Sequence, residues 1–318
     1  MPRNILERLT VLLLLFLVLA CVPKNEKTLQ VGSNPWIGYE PLYVAQDLGF
    51  YQEANVKIAE LSSASQVAKA FEQGIIDVAA LTLDEAIRLT FRDDNYEILW
   101  VMDYSNGGDA IIARQSYSSI EALKGQKVGL EEGAVSKYLL TRAAQLHQMS
   151  IDDFEIVPVH LNQQQREFTQ GNLDALVTFD PIKTHLLELG ANQLFSSQMI
   201  PGEIVDVLVV KKSTYAEHEA QYRAILTGYL SAVQLIEARD QRAVELLVKR
   251  TGVTQAEMLS MLENIHIPDI EEVRTMLYSD KPSLKAQIQQ LSEYLTEQGE
   301  ITSPVASNSL MPSFDIPL

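Results

Sequence analysis

Short apolar runs of strand length recur through the first two thirds of the chain, each closed by a turn and followed by a helical stretch. Residues 29–32, 56–61, 75–83, 97–102 and 109–113 form a first series. Residues 128–130, 154–159 and 173–179 form a second, with 193–195 as a short edge strand. The run IIDVAALTL at 75–83 is apolar almost throughout, as strands covered on both faces are. Strands alternating with helices predict an α/β fold, with mostly parallel sheets and helices on both sides. The two series are separated by a polar crossing at 114–119. The run IVDVLVV at 204–210 is too apolar for a surface strand and is expected to re-enter the first sheet. Two doubly wound lobes joined by two crossings describe a hinged clamshell with its cleft between the lobes. The expected organisation is a first lobe of residues 29–113 plus 205–300 and a second lobe of 114–204. The first includes extra C-terminal helices at about 215–237, 241–250, 254–263, 268–279 and 283–298. The aperiodic end, 301–318, is expected to be a strap or a loose tail.

Ligands of α/β sheets bind at the carboxyl ends of strands, so the strand-to-helix turns carry the candidate site. The first turn is NPWIGYEPL at 34–42, with Pro41 suited to the first helical position because its missing N–H would have no partner there. Trp36 and Tyr39 stand on it as aromatic walls, and Gly38 lets backbone come close; a plug for the core end is the equally weighted alternative. Thr82 and Asp84 stand on the next turn, Ser105 and Asp109 flank a Gly107-Gly108 loop, and Gly133, Ala134 and Val135 open a helix in the second series. Asp180 precedes Pro181 at the start of another helix. Asp84 and Asp180 have a competing use as helix caps or first-turn carboxylates.

The N-terminus reads as an export segment. Arg3 and Arg8 precede an uncharged apolar run, residues 9–20, that is short for a bilayer span and fits a secretory signal. It ends in Val18-Leu19-Ala20-Cys21. Cys21 is the single cysteine, so no internal disulfide is possible. Residues 1–20 are expected to be a signal peptide and 21–28 a tether. Removal of the signal leaves about 298 residues, more than one core usually accommodates. The formal charge of −17 disfavours nucleic acid and anionic membrane surfaces as partners.

Five segments in order carry a family resemblance: WIGYEPLYVAQDLGFY, EQGIIDVAALTLDEAI, NGGDAIIA, LKGQKVGLEEGAVSKYLL and GNLDALVTFDP. Together they resemble the substrate-binding proteins of ABC importers for nitrate, sulfonates and taurine, a family that also covers binders of thiamine-pyrimidine precursors. The likeness runs over residues 28–211; the C-terminal helices match nothing specific. The end of the signal resembles a lipobox, departing from it at Val18 and Leu19. The resemblance implies a periplasmic-binding-protein-like clamshell, exported and held to the membrane by lipid on Cys21. It also implies a monomer that delivers a small solute to a permease and its ATPase, with no cofactor or metal. It places the ligand on Trp36, Tyr39, Thr82, Asp84, Ser105, Asp109, Gly133, Ala134, Val135 and Asp180.

The turns hold Asp84, Asp103, Asp109, Glu131, Glu132 and Asp180 but no Arg or Lys; Arg88 and Lys137 are the nearest bases. Acids facing a dry cleft require a cationic or hydrogen-bond-donating partner. The expected ligand therefore bears an amino or amidine-like group, as an aminosulfonate or an aminopyrimidine does. Two rival readings are a sensory lipoprotein acting on a membrane signalling protein and an enzyme like the pyrimidine-precursor synthases. Against the enzyme, there is no cysteine-rich segment, the five His show no metal-ligand spacing, and no nucleophile elbow or phosphate loop occurs.

Overall fold

In the computed structural model, which describes residues 27–131, 135–279 and 284–318, the apolar runs are strands and the stretches between them helices. The expected signal segment, Cys21, Gly133 and Ala134 lie outside the described residues. In chain order the elements begin β1 (Leu29–Ser33), α1 (Glu40–Asp47), β2 (Val56–Glu60), α2 (Ala64–Glu72), β3 (Val78–Thr82), α3 (Leu83–Arg92) and β4 (Tyr96–Ser105). Next come β5 (Ala110–Ala113), β6 (Lys127–Leu130), α4 (Val135–Leu146), β7 (Glu155–Pro158), α5 (Leu161–Thr169), β8 (Ala175–Thr178), α6 (Ile182–Glu188), β9 (Asn192–Ser196) and β10 (Val205–Lys211). The C-terminal part holds α7 (Tyr215–Glu237), α8 (Gln241–Thr251), α9 (Gln255–Leu262), the two-residue β11 (Ile265–His266), α10 (Ile270–Tyr278) and α11 (Leu284–Glu297).

The strands form two sheets, ordered β11-β4-β10-β3-β1-β2 and β7-β6-β8-β5-β9. β1 pairs in parallel with β2 and β3, and β6 with β7 and β8. Each sheet also contains a reversed strand: β10 runs antiparallel to β3 and β4, and β5 antiparallel to β8 and β9. β10 and β5 are each the first strand after a crossing, which explains their direction, because the chain enters each sheet from the side facing the other lobe; the two-residue β11 is also reversed, antiparallel to β4 at the sheet edge. The sheets are therefore mixed where alternation alone predicts mostly parallel pairing. β5 also corrects the expected boundary. Residues 110–113 pair within the second sheet, so the chain leaves the first lobe after Ser105 and not after Ala113. A short apolar run states that it is buried; it does not state which neighbours bury it.

Local chemistry sets the element starts. Ser63 caps α2: its hydroxyl accepts the Gln66 N–H at 3.3 Å. α1 begins at Glu40, one residue before the expected start, so Pro41 takes its second position, where a missing N–H is equally harmless, behind a 3-10 turn at Ile37–Tyr39. β3, β4 and β10 are almost wholly buried. α1 and α8 pack with α7 on the first lobe.

The end of the chain is a strap. Leu310 accepts the Ile98 N–H at 2.8 Å, the Ser313 N–H and hydroxyl both donate to Glu97 Oε2, and Ile301, Leu310 and Ile316 are buried. Among the described residues no helix is long and apolar enough to cross a membrane.

Candidate functional site

The two crossings between the lobes are tied together. The Ser105 and Ser197 hydroxyls are 2.8 Å apart, and Ser197 Oγ accepts the Gly107 N–H at 2.6 Å. Beside this tie the strand ends of both sheets face each other across a narrow, closed cleft with a cavity volume of about 30 Å³. The first lobe supplies Asn34, Trp36 and Tyr39 from the β1-to-α1 turn, Ala64 from α2, Thr82 and Glu85 from the start of α3, and Asp206 from β10. Asp109 stands on the crossing. The second lobe supplies Glu131, Val135, Ser136 and Phe179.

The aromatic wall crosses the cleft. Trp36 meets Phe179 edge to face, with ring centroids 5.5 Å apart and planes at 82°. Behind it the indole N–H donates to Asp103 Oδ1 at 3.1 Å. Gly38 makes that possible, because a Cβ there would collide with the Asp103 carboxyl. The Tyr39 hydroxyl donates to Asp206 Oδ1, and the carboxyls of Asp103 and Asp206 act on each other electrostatically. Such a buried pair titrates as a unit. Burial pushes Asp103 up to about 7, against the Trp36 N–H that favours its charged form. Burial first, then the charge of Asp103, raises Asp206 well above the ordinary carboxylate range.

The other lining acids are shifted the same way. Asp109 is pushed up to about 6 by burial, with the Ser105 hydroxyl and Lys183 opposing. Glu85 is pushed up to about 8, by burial and then by Asp84, while the Thr82 N–H opposes. Burial also raises Glu131, whose carboxylate accepts the Ser65 hydroxyl across the cleft at 3.1 Å. Four carboxyl groups thus line a largely dry space, and no Lys, Arg or His lines it among the described residues. The bases nearby are committed. Arg88 bonds Asp84 at 2.6 Å and Glu300 at 2.7 Å; Lys137 bonds Glu300 at 2.9 Å. Glu300 therefore links α3 of the first lobe to α4 of the second. Among the described residues no group of three metal-ligating side chains is assembled.

Of the sequence-selected residues, Trp36, Tyr39, Thr82, Asp109 and Val135 face the cleft. Three others lie elsewhere. Asp84 turns to Arg88 one helical turn on. Ser105 belongs to the tie between the crossings, where its Oγ also accepts the Asp109 N–H at 3.1 Å. Asp180 caps α6, accepting the Thr184 N–H and hydroxyl through Oδ1, while Oδ2 pairs with Lys183 at 2.8 Å. Lys183 in turn donates to Gly107 O at 2.7 Å. The cap reading of Asp180 is therefore the better account of its position. Glu85, Glu131, Ser136, Phe179 and Asp206 were not selected. Two carried a signal: Thr82-x-x-Glu85 is a capping-box spacing, and Asp206 is the lone acid in an apolar strand.

A family model described as NMT1-like matches residues 23–249. A Brucella abortus chain named as a binding protein is 24% identical over 164 residues, 49% of this chain and 50% of that one. The match thus spans about half the length of this curated relative. The solved alkanesulfonate-binding protein SsuA of Xanthomonas axonopodis pv. citri, bound to MOPS, superposes with a TM-score of 0.74 at 16% identity, covering 90% of this chain and 98% of that one. The desulfurization enzyme DSZB superposes with a TM-score of 0.61 at 14% identity over 90% and 97% of the two chains. These likenesses place the chain in the periplasmic-binding-protein fold, which serves both a binding protein and an enzyme. With its family model matched over well over half its length, the chain belongs to the NMT1-like family.

Proposed function

We propose that this protein is the extracytoplasmic solute-binding component of an ABC importer, which closes two lobes over a small amine-bearing or zwitterionic solute and delivers it to a permease. One observation carries the ligand class: Glu85, Asp109, Glu131 and Asp206 line the cleft with no base among the lining residues. Buried carboxylates are stable only when paired or hydrogen-bonded. A solute bringing positive charge and N–H donors supplies what the cleft lacks, and the Trp36–Phe179 wall offers stacking or cation–π contact. An aminosulfonate or an aminopyrimidine has both features. We read the protein as a binder and not as an enzyme, because the described lining offers hydrogen-bonding carboxyls, hydroxyls, an amide and an indole but no Cys, His or Lys to serve as nucleophile or base. Export and lipid attachment at Cys21 complete the proposal and rest on the N-terminal sequence.

A thermal-shift screen of small amines, zwitterions and anions, followed by calorimetry and solution scattering on the best binder, tests the reading. A ligand at 100 times its Kd stabilises by about 2.7 kcal/mol, so a true binder gives a clear shift. The expected result is an amine-bearing solute that raises the melting temperature and contracts the scattering profile. An inorganic anion as the tightest binder overturns the ligand class; no binder at all overturns solute capture. Membrane retention and palmitate labelling that persist in Cys21→Ser overturn the anchor.

A further inference from the structure

The turn from β3 into α3 is a capping box with spare acceptor capacity: the Thr82 hydroxyl faces the Glu85 backbone N–H, and Glu85 Oε2 accepts the Thr82 backbone N–H at 3.0 Å. Glu85 Oε1 is buried with no hydrogen-bond partner among the described residues, and the buried Thr82 Oγ1 has only that loosely held N–H. Glu85 is 3% exposed, and both residues line the cleft. An orphaned buried acceptor costs about 1–3 kcal/mol, and more when charged, so Glu85 Oε1, with the under-used Thr82 hydroxyl beside it on the same space, calls for a ligand. The other lining acids have company: Tyr39 bonds Asp206, Ser65 bonds Glu131, and Asp109 has Ser105 beside it. Arg88, one turn along α3, is taken up by Asp84 and Glu300.

The position is notable for its sign. A helix start with free N–H groups ordinarily attracts an anion. Here the first donor, Thr82 N–H, is already occupied by the protein's own carboxyl, so an anion approaching this terminus meets Glu85 before it meets the dipole. The same carboxyl, pushed up to about 8 by burial and Asp84, ionises readily only when positive charge arrives.

Building on the solute-binding reading, we propose that Thr82 and Glu85 are the specificity pair of the cleft. Glu85 Oε1 accepts one N–H of an ammonium or amidinium-like head, and Thr82 Oγ1 accepts a second. The nitrogen end of the solute then lies at the start of α3, and the remainder of the solute lies against Trp36 and Phe179. Glu85 thereby converts a turn suited to anions into one that rejects them.

Matched probes test this by calorimetry: taurine against ethanesulfonate, and 4-aminopyrimidine against pyrimidine, on wild type, Glu85→Gln, Thr82→Val and Thr82→Ser. Wild type is expected to prefer the amino member of at least one pair by about tenfold or more. Glu85→Gln, which keeps an oxygen to cap Thr82 N–H, is expected to abolish that preference by weakening the amino member alone. Thr82→Val is expected to lose about three- to tenfold for the amino member, and Thr82→Ser to recover it. Preference that survives Glu85→Gln overturns the proposal. Wild type that binds the amine-free members equally well also overturns it, yet leaves solute binding standing; wild type that binds no probe overturns the proposal, and the library screen decides the broader reading. If Glu85→Gln fails to fold, the Thr82→Val and Thr82→Ser pair decides by the same criterion.

Discussion

The two faces of the cleft are built differently. On the first lobe, Trp36, Tyr39, Glu85 and Asp206 are at most 6% exposed, with Trp36 bonded to Asp103, Tyr39 to Asp206 and Glu85 to the Thr82 N–H. On the second lobe, Val135, Ser136 and Phe179 are only half-buried, and Glu131 is held by a hydroxyl from the opposite lobe. The first face has a fixed network of its own; the second obtains much of its order from contact with the first. Under the proposed solute capture, the contrast assigns affinity and selectivity to the first face and gives the second the part of a cover whose docking sets how long a solute stays.

The sharpest way to break this contrast is Trp36→Ala against Phe179→Ala. Removing Trp36 deletes a buried ring and leaves Asp103 without its indole donor. It is expected to cost about 3–5 kcal/mol of stability together with nearly all binding. Phe179→Ala is expected to cost about 1 kcal/mol of stability and to act mainly through faster solute release. Urea unfolding with stopped-flow release separates the two; equal stability losses would place both faces on one footing.

A smaller effect tests the acids. Glu85, Asp103 and Asp109 have folded pKa values near 8, 7 and 6, above the unfolded values near 4. The folded state therefore holds more protons across that interval, and unfolding free energy must fall as pH rises through it. The penalty is absent below about pH 4 and fully imposed above about pH 8. Affinity for a cationic solute runs the other way, rising as the acids ionise. Melting temperature without ligand and calorimetric affinity with ligand, both followed from pH 5.5 to 8.5, are expected to cross in opposite directions. Parallel curves would exclude a cation-binding face. Asp206→Asn sharpens the same point: it removes one member of the buried pair, so stability at pH 8 is expected to rise by about 1–3 kcal/mol while affinity drops.

The smallest expected effect belongs to the link between faces. Glu300→Gln weakens its bonds to Arg88 and Lys137. Those groups are only partly shielded from water, so the stability change is expected to be about 1 kcal/mol or less. The readout is the release rate, expected to rise about threefold, on the order of 0.6 kcal/mol. An unchanged rate would show that Glu300 takes no part in keeping the lobes together.

Much of this arrangement is legible in the residues, and the gaps have physical causes. β3 announces itself because burial on both faces demands an apolar run, although the run 75–83 overshoots the strand at both ends: Ile75 is exposed and Leu83 already begins α3. Trp36 and Tyr39 stand on a turn that proline and glycine mark plainly. Asp84 and Asp180 were harder. An acid at a helix start serves equally as ligand, cap or ion-pair partner, and the choice depends on where Arg88 and Lys183 reach in space. Asp206 was visible as an acid among valines, yet only the placement of β10 between β3 and β4 brings it beneath Tyr39. The origin of β5 in the second sheet was not readable, because four small apolar residues fit either sheet.

The placement of β10 has a consequence for biogenesis. Strands β3 and β4 are separated by a slot that only residues 205–211 fill, so a chain emerging N-terminus first cannot seal its leading sheet until Lys211 is out. The other sheet draws all its strands from residues 110–196 and has no such wait. Whatever machinery handles the nascent polypeptide therefore meets a leading half that stays open the longest, which keeps it threadable until the trailing half has arrived.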